Sequence, residues 1–216
     1  MSSSRDAAAD AVFALAPVVP VLVIEDPEKA VAIGRALVAG GLPALEVTLR
    51  TPRALDCIAA LASLPGATVG AGTVLDPEAA KASVAAGARF LISSGFSPRL
   101  VDWAETAATP FIFGVATATE AMTLAERGFT RLKFFPAEGA GGVAHLGSLA
   151  SPLPRLRFCP TGGVTPDNAP RYLALPNVAC VGGTWVTPKD AIEACDWDRI
   201  ERLAREAAAL PRRAAT

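Results

Sequence analysis

The sequence predicts a (β/α)₈ TIM barrel, one domain spanning residues 1–216 with a short helix ahead of the first strand. Three observations carry this. Short apolar runs recur about eight times at intervals of roughly 20 to 25 residues, alanine-rich amphipathic stretches separate them, and Asp-Pro or Ser-Pro pairs open the stretches. The runner-up arrangement is a doubly wound open sheet. The 216 residues suit a domain with a sizeable core.

Taken in order, "MSSSRDAAADAVFALAPVVP" has one basic residue, an acidic pair and a short apolar run, which makes a poor signal peptide and reads as a short helix. The expected strands are 18–24, 44–49, 67–72, 89–93, 110–115, 131–135, 156–160 and 178–183. After the first, "DPEKAVAIGRALVAGG" places Asp26 at an N-cap, Pro27 at the first helical position and Gly40-Gly41 at the stop. "DPEAAKASVAAGA" repeats the design with Asp76, Pro77 and Gly87, and "SPRLVDWAETAA" with Ser97 and Pro98. "TPDNAPRYLAL" is expected to start a helix at Thr165-Pro166, and the Ala/Arg-rich tail after Leu210 reads as loose.

Apolar residues make up 51% and charged residues 19%, with 20 basic against 21 acidic side chains. Such a balance points away from nucleic acid and anionic membranes and towards a small-molecule partner. No apolar run is long enough to span a bilayer. Cys57, Cys159, Cys180 and Cys195 form no CxxC pair and suit reduced thiols in a cytoplasmic protein. His145 is the only histidine, so a His-rich metal site is excluded, and an ordinary Ser-His-Asp set is too unless His145 itself serves. It reads as a surface or helix histidine.

Charge falls where a barrel interior should be. Glu46, Thr48 and Arg50 share one face of the second strand, and Leu45, Val47 and Leu49 the other. In "RLKFFPAEGAGG", Arg131, Lys133 and Phe135 likewise share a face. Burying such groups costs several kcal/mol unless they are paired or used. A structural ion pair between Glu46 and Lys133 or Arg50 is one reading. A reaction site at the C-terminal ends of the strands is the other. "CPTGGVTPDN" and "VGGTWVTP" follow the seventh and eighth strands, the usual phosphate position of such barrels. "VGAGTV" lacks the third glycine and the acidic ribose ligand of a dinucleotide fingerprint, so no nicotinamide is expected.

"ALEVTLRT", "GAGTV", "KFFPAEGAGG", "RFCPTGGV" and "GGTWV" together resemble the 2-keto-3-deoxy-6-phosphogluconate (KDPG) aldolases, many of which also act on 4-hydroxy-2-oxoglutarate (KHG), and the likeness runs from about Val18 to the last helix. The resemblance implies a homotrimeric barrel and a class I aldolase of the Entner–Doudoroff pathway, with no metal or other cofactor. It implies Lys133 as the Schiff-base lysine and Glu46 as the general acid/base. Arg50 and Thr73 match positions that hold the pyruvyl carboxylate, Phe135 an aromatic wall and Thr161 a substrate-contacting hydroxyl. Gly162, Gly163, Gly183 and Thr184 match a phosphate cradle. The partner so implied is a small-molecule 2-keto acid, expected to be phosphorylated. Ser94 and Phe113 stand where the family commonly has proline, and Thr184 where serine is usual. The alternatives are an aldolase for the galactonate epimer, a phosphosugar isomerase or epimerase without a Schiff base, and a non-catalytic phosphosugar-binding module.

Overall fold

The computed structural model describes residues 4–213. Eight parallel strands alternate with helices: β1 (Val18–Leu22), β2 (Ala44–Thr48), β3 (Thr68–Gly72), β4 (Phe90–Ile92), β5 (Phe111–Val115), β6 (Arg131–Phe134), β7 (Arg157–Pro160) and β8 (Val181–Gly183). They pair in the order β7-β6-β5-β4-β3-β2-β1-β8. Parallel bridges Phe158–Val178 and Thr161–Gly182 join the two ends, so the sheet curls into a barrel and the open-sheet alternative falls away. The last expected strand, 178–183, is shorter than its apolar run: Val178 makes a single bridge and regular pairing begins at Val181.

The helices are α1 (Ser4–Ala14), α2 (Pro27–Ala39), α3 (Ala54–Ala62), α4 (Pro77–Ala85), α5 (Pro98–Thr106), α6 (Ala118–Glu126), α7 (Gly142–Ser148), α8 (Ala169–Leu173), α9 (Lys189–Glu193) and α10 (Trp197–Ala208). The caps read from the sequence form as expected. Asp26 accepts from the backbone N–H of Glu28 and Lys29, Asp76 from Ala79, and Ser97 from Leu100. Thr117 and Glu120 add a reciprocal capping box on α6, a T-x-x-E signal that the proline pattern overshadowed. Helix α8 begins at Ala169 rather than at Thr165-Pro166. Thr165 and Asn168 bond each other's backbone N–H, and Asn168 Nδ2 donates to the Gly163 carbonyl, so these residues close a turn before the helix starts.

Two cores follow from strand alternation. Outward residues such as Leu45, Val47, Leu91, Leu132 and Phe134 pack under the helices. Inward residues Val19, Ala44, Phe90, Ile92, Ile112, Cys159 and Cys180 fill the barrel, and Ala9, Val12 and Phe13 of α1 pack against them, closing the end where the strands begin. Arg131, expected beside Lys133, sits at that lower end of β6. Its guanidinium forks onto Asp10 of α1 at 2.6 and 2.7 Å, so this cation anchors the plug and takes no part in the upper site. The C-terminal segment is less loose than its composition suggests, since Arg212 donates to the carbonyls of Phe13 and Ala14.

Candidate active site

At the opposite end, where the strands finish, Lys133 Nζ donates to Glu46 Oε1 at 2.9 Å. Both side chains are almost wholly buried, with 3% and 2% of their surface exposed. The pair is reached across the barrel from β6 to β2, so neither strand's sequence announces the partner. Space for it comes from glycine. A Cβ at Gly72 of β3 would lie 2.2 Å from Glu46 Oε1, closer than any real contact, so the "GAG" of β3 leaves the hollow that Glu46 fills. Gly182 of β8 does the same for the Thr161 hydroxyl, which a Cβ would meet at 2.2 Å. Thr48 turns its hydroxyl to the Leu22 carbonyl at 2.9 Å and serves the barrel wall.

Above the pair opens a cavity of about 270 Å³. Arg50, Phe135, Thr161, Gly162, Gly163, Gly183 and Thr184 all line it, as do Ser94 and Val21. The Phe135 ring joins the two levels, its centroid 5.4 Å from Lys133 Nζ. Thr73 follows β3, outside the residues that line the cavity, in a left-handed conformation, φ 59°, rare for a branched residue. Its hydroxyl accepts a long 3.4 Å bond from Arg50 Nε, which holds the exposed guanidinium over the site. Of the positions that depart from the family pattern, Ser94 lines the cavity, whereas Phe113 faces outward, stacked on Phe111 at 4.2 Å and edge-on to Phe129 at 4.9 Å.

The two glycine turns differ in character. Gly162 and Gly163 have φ of 97° and 79°, a backbone that few side chains tolerate. Gly183 is required for a second reason: a Cβ there would overlap the Trp185 ring at 1.7 Å. Gly183 therefore has a packing role of its own beside Trp185.

Sequence reasoning passed over Glu138 and Tyr172. The Glu138 backbone N–H donates to the Gly162 carbonyl at 3.0 Å, and its Cβ and Cγ would each stand 2.8 Å from a Cβ on Gly163. The carboxylate accepts a hydrogen bond from the Tyr172 hydroxyl of α8. Burial of Tyr172 and this bond push the phenol well above its usual range. The two residues therefore clamp the Gly162–Gly163 turn from below. The only hint was a tyrosine in an otherwise small amphipathic helix. His145 lies in α7 with its ring stacked on Phe134, behind the strand and outside the site.

Residues 9–203 match the family model described as KDPG and KHG aldolase. The KHG/KDPG aldolase of Escherichia coli K12 is 49% identical over 200 residues, covering 92% of this chain and 94% of that one. The crystal structure of the Zymomonas mobilis ZM4 2-keto-3-deoxy-6-phosphogluconate aldolase with 3-phosphoglycerate superposes with a TM-score of 0.93 at 48% identity, over 99% of this chain and 100% of that one. That of the Legionella pneumophila KDPG aldolase, with pyruvate captured as a covalent carbinolamine, gives 0.91 at 44% identity, over 93% and 98%. A match of that length, meeting a barrel whose upper end holds a buried lysine–glutamate pair, makes this chain a member of the KDPG and KHG aldolase family.

Proposed function

We propose that this chain cleaves 2-keto-3-deoxy-6-phosphogluconate to pyruvate and glyceraldehyde 3-phosphate through a Schiff base on Lys133. The observation that carries the reading is the buried Lys133–Glu46 pair, 2.9 Å apart beneath a cavity walled by Phe135 and floored by hydroxyl and backbone donors. Proton transfer from Nζ to the neighbouring carboxylate leaves a neutral amine. The amine lone pair adds to the C2 ketone, and the carbonyl oxygen, protonated by Glu46, leaves as water. The resulting iminium accepts the electrons of the C3–C4 bond as Glu46 takes the C4 hydroxyl proton. The aldehyde departs, C3 of the enamine is protonated, and water releases pyruvate and the free lysine.

Arg50 is suited to hold the pyruvyl carboxylate, with Thr73 fixing its direction. Phe135 excludes water beside the iminium, and Thr161 offers a hydroxyl to the substrate chain. The N–H groups around Gly162 and Gly163, with Gly183 and the Thr184 hydroxyl, suit the phosphate. The same centre accommodates 4-hydroxy-2-oxoglutarate, giving pyruvate and glyoxylate. The family likeness further supports one barrel domain, a homotrimer, a cytoplasmic location and a role in the Entner–Doudoroff pathway.

The test is borohydride reduction in the presence of pyruvate, followed by mass spectrometry. We expect one pyruvyl adduct on Lys133 and none in Lys133→Ala, which also lacks turnover. An adduct on Lys81, or turnover without any adduct, would overturn the assignment in favour of carboxylate-only chemistry, and binding without turnover would favour a non-catalytic module.

A further inference from the structure

The barrel's lower end carries a second concave site. A cavity of about 530 Å³ lies between α1, the starts of β6 and β7 and the C-terminal segment. That is within the size range of small-ligand pockets. Among the described residues, four arginines line it (Arg131, Arg157, Arg212 and Arg213) against a single carboxylate, Asp10. The surplus stands out in a chain whose formal net charge is -1.

Among the described residues the arrangement is electrostatically incomplete. Arg131 and Arg157 are register partners on the adjacent strands β6 and β7, side by side on one face. Like charges so placed repel. Asp10 answers one of them, meeting Arg131 with both oxygens at 2.6 and 2.7 Å, and Asp6 stands 4.0 Å from the same guanidinium. The hydrogen bonds of Arg157 go to backbone carbonyls, Pro154 at 3.1 Å and Leu156 at 3.0 Å. Arg212 likewise serves the carbonyls of Phe13 and Ala14 at 3.2 and 2.8 Å. A carbonyl orients a guanidinium without neutralising it. Held this way, Arg157 and Arg212 are spread around one hollow with their positions fixed in advance. Phe13 and Val178 supply an apolar wall.

We propose that this cavity is a binding site for a small polyanion, a molecule carrying two or more adjacent phosphate or carboxylate groups, distinct from the aldolase centre at the other end of the barrel. Guanidinium forks match both groups bidentately. Adjacent charges on one ligand could engage Arg157 and Arg212 together and offset the positive charge that their backbone partners leave in place.

Calorimetric titration of the full chain at low salt tests this, with inorganic pyrophosphate as the phosphate probe and citrate as the carboxylate probe. The expected result is saturable binding of at least one probe, weakened roughly tenfold or more in Arg157→Gln/Arg212→Gln, a change of about 1.4 kcal/mol. Binding should weaken with added salt. Aldolase turnover without the probe should be unchanged in that variant, which confirms that the upper site is intact. Thr184→Val separates the two ends, since its binding to the lower cavity should match wild type. Absence of saturable heat overturns the proposal, as does binding indifferent to the arginine variant or abolished by Thr184→Val. If the double variant does not fold, the single Arg157→Gln is titrated and judged by the same criteria.

Discussion

Glu46 and Lys133 stand 2.9 Å apart with almost no exposed surface, a placement that folding alone gives no reason to select. Withdrawing both charges from water costs several kcal/mol per ion, and well-packed apolar side chains of similar volume often replace such pairs without loss. Lys133→Met alone strands a carboxylate, and Glu46→Gln alone strands an ammonium. Each single variant is expected to unfold more easily, by up to about 3–5 kcal/mol. Lys133→Met/Glu46→Gln together should recover most of that loss. Urea unfolding of all four proteins forms the cycle, and simple additivity would show that the two side chains contribute independently and not as a charge pair. Glu46→Gln is also expected to slow cleavage by roughly 10²–10⁴-fold, the usual contribution of a positioned acid/base group, while borohydride still traps pyruvate on Lys133. Chelation should leave the wild-type rate unchanged, because the iminium itself supplies the electron sink.

At the scale of elements, the strands and three of the helix starts were legible because their signals are local. Asp26-Pro27, Asp76-Pro77 and Ser97-Pro98 act through bonds two or three residues away. What was hidden depends on neighbours distant in the chain. Gly72 and Gly182 are small because Glu46 and Thr161 occupy their space, and no local pattern encodes that. The late start of α8 reflects Asn168 being spent on the Gly163 carbonyl. Substituting Gly183 would displace the Trp185 ring as well as block an anion, so the phosphate turns are better probed elsewhere. Thr184→Val removes one hydroxyl and should lower kcat/KM for the phosphorylated substrate by about tenfold, at roughly 1–1.5 kcal/mol for one hydrogen bond, with little effect on 4-hydroxy-2-oxoglutarate. Tyr172→Phe loosens the Glu138 clamp under the Gly162–Gly163 turn. It should raise KM for the phosphorylated substrate several-fold and leave kcat on the unphosphorylated one near wild type. Equal losses on both would make the clamp a matter of general stability.

Across the whole molecule, the two ends of the barrel divide the work, and the inward column of β6 shows it: Arg131 anchors α1 below, Lys133 meets Glu46 in the middle, and Phe135 walls the cavity above. The sequence placed these three on one face, but the partner of Arg131 lies 121 residues away and only the folded chain reveals it. The plug that Arg131 holds should control access to the interior thiols. Cys159 and Cys180 lie inside the barrel against α1, and burial, reinforced by hydrogen bonding to Cys159, raises the Cys180 thiol well above its usual range. Cys57 is buried among the helices and its thiol is also raised by burial, whereas Cys195 is exposed. A thiol reagent under native conditions should therefore modify one cysteine rapidly, and Cys195→Ser should abolish that phase without altering turnover. Modification of Cys159 and Cys180 requires the lower end to open. Asp10→Ala removes both charge-assisted bonds that hold α1 to Arg131, a loss of roughly 1–3 kcal/mol. If opening occurs by release of α1, that loss should speed modification of the two interior thiols by about tenfold to a hundredfold, while Cys57 keeps its wild-type rate. Mass-spectrometric mapping of labelled cysteines over time distinguishes the outcomes. Unchanged interior rates would show that the other contacts of α1 suffice to hold it, the apolar ones of Val12 and Phe13 and the polar ones of Arg5 and Asp6. Equal acceleration of Cys57 would show that Asp10 supports the stability of the whole barrel and not the closure of one end.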